Sequence, residues 1–163
     1  MKHLDGRAGA VVGTPIATCF SLLEAVERYP SWCGEFIREV AAVERDDDGR
    51  PVRAHVIVYV AQSPFGNRFE FDATVGTEPT RAVHLSRLPS SPSDPDRFSL
   101  AWSLRRGEGE RTHLELEFFA AVSFLPSVLP LPGVGDLIAG AVLDAAVREL
   151  GGSTAPEPRA PSS

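Results

Sequence analysis

Four segments of the chain alternate between apolar and polar residues with a period of two. Ala54, Val56, Val58 and Val60 alternate with Arg53, His55 and Tyr59. Phe69, Phe71, Ala73 and Val75 alternate with Arg68, Glu70, Asp72 and Thr74. Phe98, Leu100, Trp102 and Leu104 alternate with Ser99, Ala101 and Ser103, and Leu114, Leu116, Phe118 and Ala120 with His113, Glu115 and Glu117. Successive side chains of a strand point to opposite faces, so each segment predicts a strand with one apolar side. One-sided strands belong to an antiparallel sheet with one wet face. Short polar turns separate them at Asp47–Gly49, Ser63–Gly66 and Arg106–Gly109, which favours a meander. Only Pro89–Asp96, rich in Ser and Pro, makes a longer connection.

Two further stretches change period. After a weak first strand at Ala8–Val12, Thr14-Pro15 opens a helix, with the Thr hydroxyl placed to cap it and Pro at the first helical position. Ile16, Cys19, Phe20, Leu23 and Val26 make its apolar stripe. Tyr29-Pro30 is expected to end it, because a residue before proline is pushed out of the α region. Trp32 and Phe36 follow in a short turn or second helix. The last element runs from Val134 to about Leu150, with Val134, Leu137, Ile138, Ala141, Val142 and Ala145 on one face and Asp136, Gly140, Asp144 and Arg148 opposite. Such a helix needs an apolar partner, and the one-sided sheet is the partner available.

With 163 residues the chain has room for one domain. Residues 1–152 are read as that domain, and 153–163, which hold no large apolar residue, as a disordered tail. The net charge of -6 argues against nucleic acid and against a polybasic lipid contact. No apolar run is long enough for an integral membrane segment, and the opening residues lack the apolar region of a secretory signal. Cys19 and Cys33 lack metal-ligand spacing and read as reduced thiols, which points to a cytoplasmic protein. Nothing in the sequence fixes the oligomeric state.

Candidate chemistry is sparse. His55 and His113 lie on polar strand faces, as do Glu70, Asp72, Glu115 and Glu117. Arg68 falls outside by its alternation with Phe69. The strand 81–88 can face either way. With Ala82, His84, Ser86 and Leu88 inward, His84 and Ser86 become polar contacts for a ligand; with Val83, Leu85 and Arg87 inward they do not. No nucleophile elbow, phosphate loop, metal site or cofactor motif occurs, and Gly133-Val-Gly135 reads as a helix start only. The stretch Phe124–Gly133 carries five large apolar residues and three prolines. It either packs on the body of the protein or gates a cavity mouth.

Ala10-Val-Val-Gly-Thr-Pro15, the stretch Phe20 to Trp32 with its Tyr29-Pro30-x-Trp32, and the apolar C-terminal helix give the chain a resemblance to the START-like superfamily of helix-grip proteins. These include polyketide cyclases and dehydrases, coenzyme-Q-binding proteins and lipid carriers. The acidic residue that many relatives carry four before the tyrosine is Ala25 here, flanked by Glu24 and Glu27. The resemblance implies an α+β helix-grip fold: a curved seven-stranded antiparallel sheet around a long C-terminal helix, with two short helices between strands 1 and 2. It also implies a deep cavity between sheet and helix that takes a hydrophobic small molecule. The expected wall comprises Val56, Val58, Phe69, Phe71, Trp102, Leu116, Phe118, Ile138, Ala141 and Val142, with Trp32, His84 and Ser86 as further contacts. Carrier, polyketide aromatase/cyclase and protein-interaction module all stay open at this point.

Overall fold

The computed structural model describes residues 2–59, 68–123 and 133–151. Seven strands form one antiparallel sheet: β1 (Lys2–Val12), β2 (Ile37–Arg45), β3 (Pro51–Tyr59), β4 (Arg68–Glu78), β5 (Ala82–Arg87), β6 (Arg97–Arg106) and β7 (Thr112–Val122). Their order is β1-β7-β6-β5-β4-β3-β2, a meander from β2 to β7 with the first strand added beside the last. The helices α1 (Ile16–Glu24) and α2 (Tyr29–Cys33), joined by one 3₁₀ turn at Val26–Arg28, lie between β1 and β2, and α3 (Val134–Gly151) closes the chain of described elements. This is the α+β helix-grip fold.

The period-two residues do line one face. Val56, Phe71, Leu100, Trp102, Leu116 and Phe118 are all buried in one core with Ile138 and Val142 of α3. Each large side chain so buried contributes about 1.5–3 kcal/mol, which makes this face the main source of stability. Register keeps the set together: Val56 pairs with Phe71, Leu100 with Phe118, and Trp102 with both Val83 and Leu116.

Several local expectations are corrected. Strand β1 runs over eleven residues rather than five, paired with β7 from Lys2↔Val122 to Val12↔Thr112. Three of its inward positions, Gly6, Ala8 and Ala10, are small, which hid it, and they leave room for α3 to lie against it. A Cβ at Gly6 would collide with the Gly135 backbone, and one at Gly135 with the Asp5 carbonyl. Gly133-Val-Gly135 is therefore more than a helix start: Gly133 has φ +78 and Gly135 lets backbone meet backbone. The Asp136 carboxylate then accepts the Arg7 N–H at 3.0 Å, which satisfies a donor on the sheet's edge strand.

The start of α1 has no side-chain cap, and Pro15 is its N-cap. Thr14 contributes its carbonyl instead, accepting from the Thr112 hydroxyl at 2.6 Å. Tyr29-Pro30 opens α2 rather than ending a helix, and Tyr29 is helical despite the proline after it. Burial overrides the local preference: Tyr29 is fully enclosed and donates its hydroxyl to the Leu23 carbonyl at 2.5 Å. Pro30 loses nothing there, since the first N–H groups of a helix have no partner within it.

Strand β5 faces inward through Val83 and Leu85, both at most 1% exposed. Helix α3 is rolled relative to the predicted face: Ala139, Leu143 and Ala146 are buried, while Leu137 is 61% exposed and Ala141 lies on the solvent side. The sequence face was weighted by large residues. The helix instead turns its small ones down, where β1 leaves little room.

Candidate functional site

The inner face holds two aromatic groups. The first is centred on Phe98, whose ring lies 4.8 Å from Phe71, 5.7 Å from Phe118 and 6.3 Å from Phe36. Phe36 meets Phe118 edge-on at 6.0 Å. These spacings are those of rings that attract through edge-to-face or offset geometry. Phe98 and Phe69 are only partly buried although they pack against the core. The β-strand pattern aims them inward.

The second group lies four residues further along β6, about 13 Å at the rise of an extended strand. Trp102 is 1% exposed. Tyr29 of α2 lies beside it, and its ring is tilted against that of Trp32 with centres 4.9 Å apart. The indole Nε1 of Trp32 is buried and has no hydrogen-bond partner among the described residues. Leaving such a donor unsatisfied costs roughly 1–3 kcal/mol. Burial pushes the Tyr29 phenol far above its ordinary range, and the Trp102 indole beside it opposes this. Burial also pushes the Cys33 thiol up to about 11. Cys19 is raised by burial as well, and both cysteines are free. The phenol and the two thiols therefore stay protonated near neutrality and offer little base strength.

The remaining polar groups on this side are engaged. Thr112 donates to Thr14, as does the Cys19 thiol at 3.7 Å. Arg87 shares the inward parity of Val83 and Leu85, but sits at the end of β5 against Asp94 Oδ2 at 2.8 Å and the Asp96 carbonyl at 3.0 Å. Asp94 also accepts from the Ser90 and Asp96 backbone, which holds its carboxyl well below the usual range. That network shapes the long Pro89–Asp96 connection. On the other flank, Arg45 pairs with Glu27 at 2.7 Å, and Arg50 Nε lies 3.3 Å from Glu24 Oε1. The two acids beside Ala25 thus tie the α1–α2 segment to the β2–β3 hairpin.

The outer face is polar. His55 bridges Asp72 at 2.8 Å and Glu70 at 2.6 Å, and these bonds raise its pKa, Asp72 first. Arg7 pairs with Glu117. Two open grooves of about 390 and 490 Å³ run over this face beside β1, β6 and β7, lined by Arg105 and Glu115 in one and Asp5, Arg7 and Asp136 in the other. Neither suits an apolar molecule. Among the described residues, no three His, Cys, Asp or Glu gather as a metal site, and no helix is long and apolar enough to cross a membrane.

Comparison with known proteins agrees with this geometry. Residues 12–147 match the profile of the family described as polyketide cyclase / dehydrase and lipid transport. The chain belongs to that family. Members of the same fold among solved structures include a START superfamily protein from Mycobacterium smegmatis, 19% identical, with a TM-score of 0.70 over 90% of this chain and 97% of that one. The Zhui aromatase/cyclase from a Streptomyces is 16% identical, with a TM-score of 0.61 over 90% and 95%. A major latex-like protein from Panax ginseng is 11% identical, with a TM-score of 0.62 over 92% and 99%. Among curated protein sequences, none matches the chain.

Set in the helix grip of this family, most of the predicted wall comes together. Val56, Val58, Phe69, Phe71, Trp102, Leu116 and Phe118 share the inner face, Ile138 and Val142 lie on the buried side of α3, and Trp32 packs against the core. Three residues do not join them. His84 is exposed on the outer face with its ring over Gly76, Ser86 is on that same face, and Ala141 points to solvent. The inward side of β5 is its more apolar one, and the roll of α3 removes Ala141. Missed were Phe98, whose alternation already placed it inward, and Phe36, which no periodicity marks. The gate reading of Phe124–Gly133 and the tail at 153–163 lie outside the described residues, apart from Gly133 itself.

Proposed function

We propose that this protein binds a hydrophobic small molecule, of lipid, quinone or polyketide-like character, in a cavity between the sheet and α3. One observation carries the reading: Phe69, Phe98 and Trp32 face the interior yet keep partial exposure beside a fully buried core. Helix α3 packs chiefly along β1 and β7 and touches α2 and α1, so side chains, not backbone, span from it towards β3 and β4. Ligand pockets are lined in this way, mostly apolar with a few polar groups. Native mass spectrometry of the purified protein tests the reading directly. A co-purified apolar molecule, displaced by an environment-sensitive dye, is expected; a protein that carries nothing and never takes up the dye would overturn it.

A cyclase reading is favoured by one feature, the family itself, whose description includes cyclases. Among the described residues the inner face offers it no free base, since Tyr29, Cys19 and Cys33 are held protonated. Such an enzyme would act by holding a flexible chain in a reactive shape, which alone can supply much of a rate enhancement. Turnover of a poly-β-ketone thioester, followed by product analysis, separates the two.

A further inference from the structure

The two edges of the sheet are finished differently. At β1 the Arg7 N–H donates to Asp136, and Gly135 lies against the Asp5 carbonyl, so α3 covers that edge. At β2 nothing comparable is seen: among the described residues, the backbone of residues 38–45 makes no hydrogen bond except those to β3. Six of the nine residues of β2 are exposed, among them Val43 at 52%. An open strand edge is a template for another strand. Irregularities between Ile37 and Glu39 and between Ala42 and Glu44 confine the regular part to Glu39–Ala42, so only a short pairing fits.

The sequence of this edge is a palindrome, Arg38-Glu39-Val40-Ala41-Ala42-Val43-Glu44-Arg45. It has an apolar centre, with an Arg and a Glu at either end. Residues opposed in an antiparallel pair share a face. Ala41 faces outward with His55, whereas Val40 and Ala42 face inward with Val56 and Ala54. A twofold axis between Ala41 and Ala42 would oppose an outward residue to an inward one, and an axis through Ala42 would set Val40 against Glu44. An axis through Ala41 avoids both: Val40 meets Ala42, and Arg38 comes up to Glu44, once at each end. These two lie at or beyond the irregularities, where long side chains rather than backbone make the contact. Both charges are open to it. Arg38 lies over the Tyr59 ring at 4.3 Å with no ion pair among the described residues, and Glu44 has Arg53 only at 4.0 Å. Arg45, by contrast, is held by Glu27.

We infer that the β2 edge is a docking surface for a second copy of this chain, which adds its own β2 antiparallel, with Arg38 of each copy paired to Glu44 of the other. The inference is independent of what the inner face binds. So short a contact should give a weak dimer, with a Kd on the order of 10 µM.

Sedimentation velocity of the full chain, at concentrations on either side of that value, tests it. The wild-type chain should pass from monomer to dimer. Arg38→Glu and Glu44→Arg should each weaken the dimer about tenfold, because two like-charge contacts replace two opposite-charge pairs. The double variant, Arg38→Glu with Glu44→Arg, restores the pairs in reverse and should recover the wild-type affinity. Both side chains are exposed, so all three variants should fold, which an unchanged melting temperature checks. A chain that stays monomeric throughout would overturn the proposal. So would a dimer that neither single reversal weakens, or a double variant no better than the single ones.

Discussion

The two sides of α3 are held by opposite means. Along β1 the helix is seated by absence of side chains: Gly6 and Gly135 bring backbone against backbone, and Asp136 reaches Arg7. Towards β3, β4 and β6 the space is spanned by Phe36, Phe71, Phe98 and Phe118. A backbone seam has no rotamers to change and admits nothing between its partners. An aromatic span can re-pack around a guest, as side chains turn and backbone does not. The helix is thus fixed along one line by backbone, while the other side of the core is built from aromatic side chains.

The sharpest way to break that contrast is at the seam. Gly135→Ala drives a methyl into the Asp5 carbonyl, so a loss of about 3 kcal/mol in chemical denaturation is expected, the upper end of overpacking costs. A loss below 1 kcal/mol would show that the seam can open. In the aromatic span, Phe98→Ala should cost about 2 kcal/mol, less than full core truncation because Phe98 is only partly buried. Unlike Gly135→Ala, it should change dye uptake as well. Unchanged uptake with that stability loss would mean the span is core alone.

The sheet behind the span gives a smaller effect with a defined pH dependence. His55 has a raised pKa, so its pairing stabilises fully below the ordinary value of 6.5 and is lost as pH rises through the raised one. Glu70 is lowered, so its share is present above 4.5 and is lost as pH falls through the lowered value. The window with both complete lies between those two ordinary values. His55→Gln should lower the melting temperature near pH 6 by on the order of 1 °C, as fits an exposed pair, and leave it unchanged near pH 9. An equal drop at both would assign His55 a packing role. Smallest of all, Ala141→Phe on the solvent side of α3 should stay within about 0.5 kcal/mol and leave dye uptake as it was. A drop in uptake would put Ala141 back on the pocket wall.

How much of this was legible depended on side-chain size. Strands β3, β4, β6 and β7 could be read because large residues alternate with charged ones, and a period of two has few rivals. Strand β1 could not be read in full, because Gly6, Ala8 and Ala10 carry little apolar signal where the helix needs room. The same small residues misled the reading of α3: Ala139 and Ala146 are buried with little weight, and Leu137 is exposed with much. For β5, Val83 and Leu85 compete with Ala82 and Leu88 across an ambiguous alternation, so the sequence leaves His84 and Ser86 open to either face, and the structure turns them outward. The aromatic span was half visible, through Phe71 and Phe118. Phe36 enters it from a loop, where only the three-dimensional path brings it near Phe98.

The pairing of β1 with β7 also sets an order of events. Arg7 meets Glu117, 110 residues later in the chain, and loops of that length are closed late because their entropy must be lost first. During synthesis at about 5–20 residues per second, β1 leaves the ribosome roughly ten seconds before its partner exists. Strands β2 to β6, each hydrogen-bonded to a neighbour in sequence, can form meanwhile. The first strand made is therefore among the last to be paired, and the helix seated on it follows later still. Completion of the grip around any guest waits for the chain's final third.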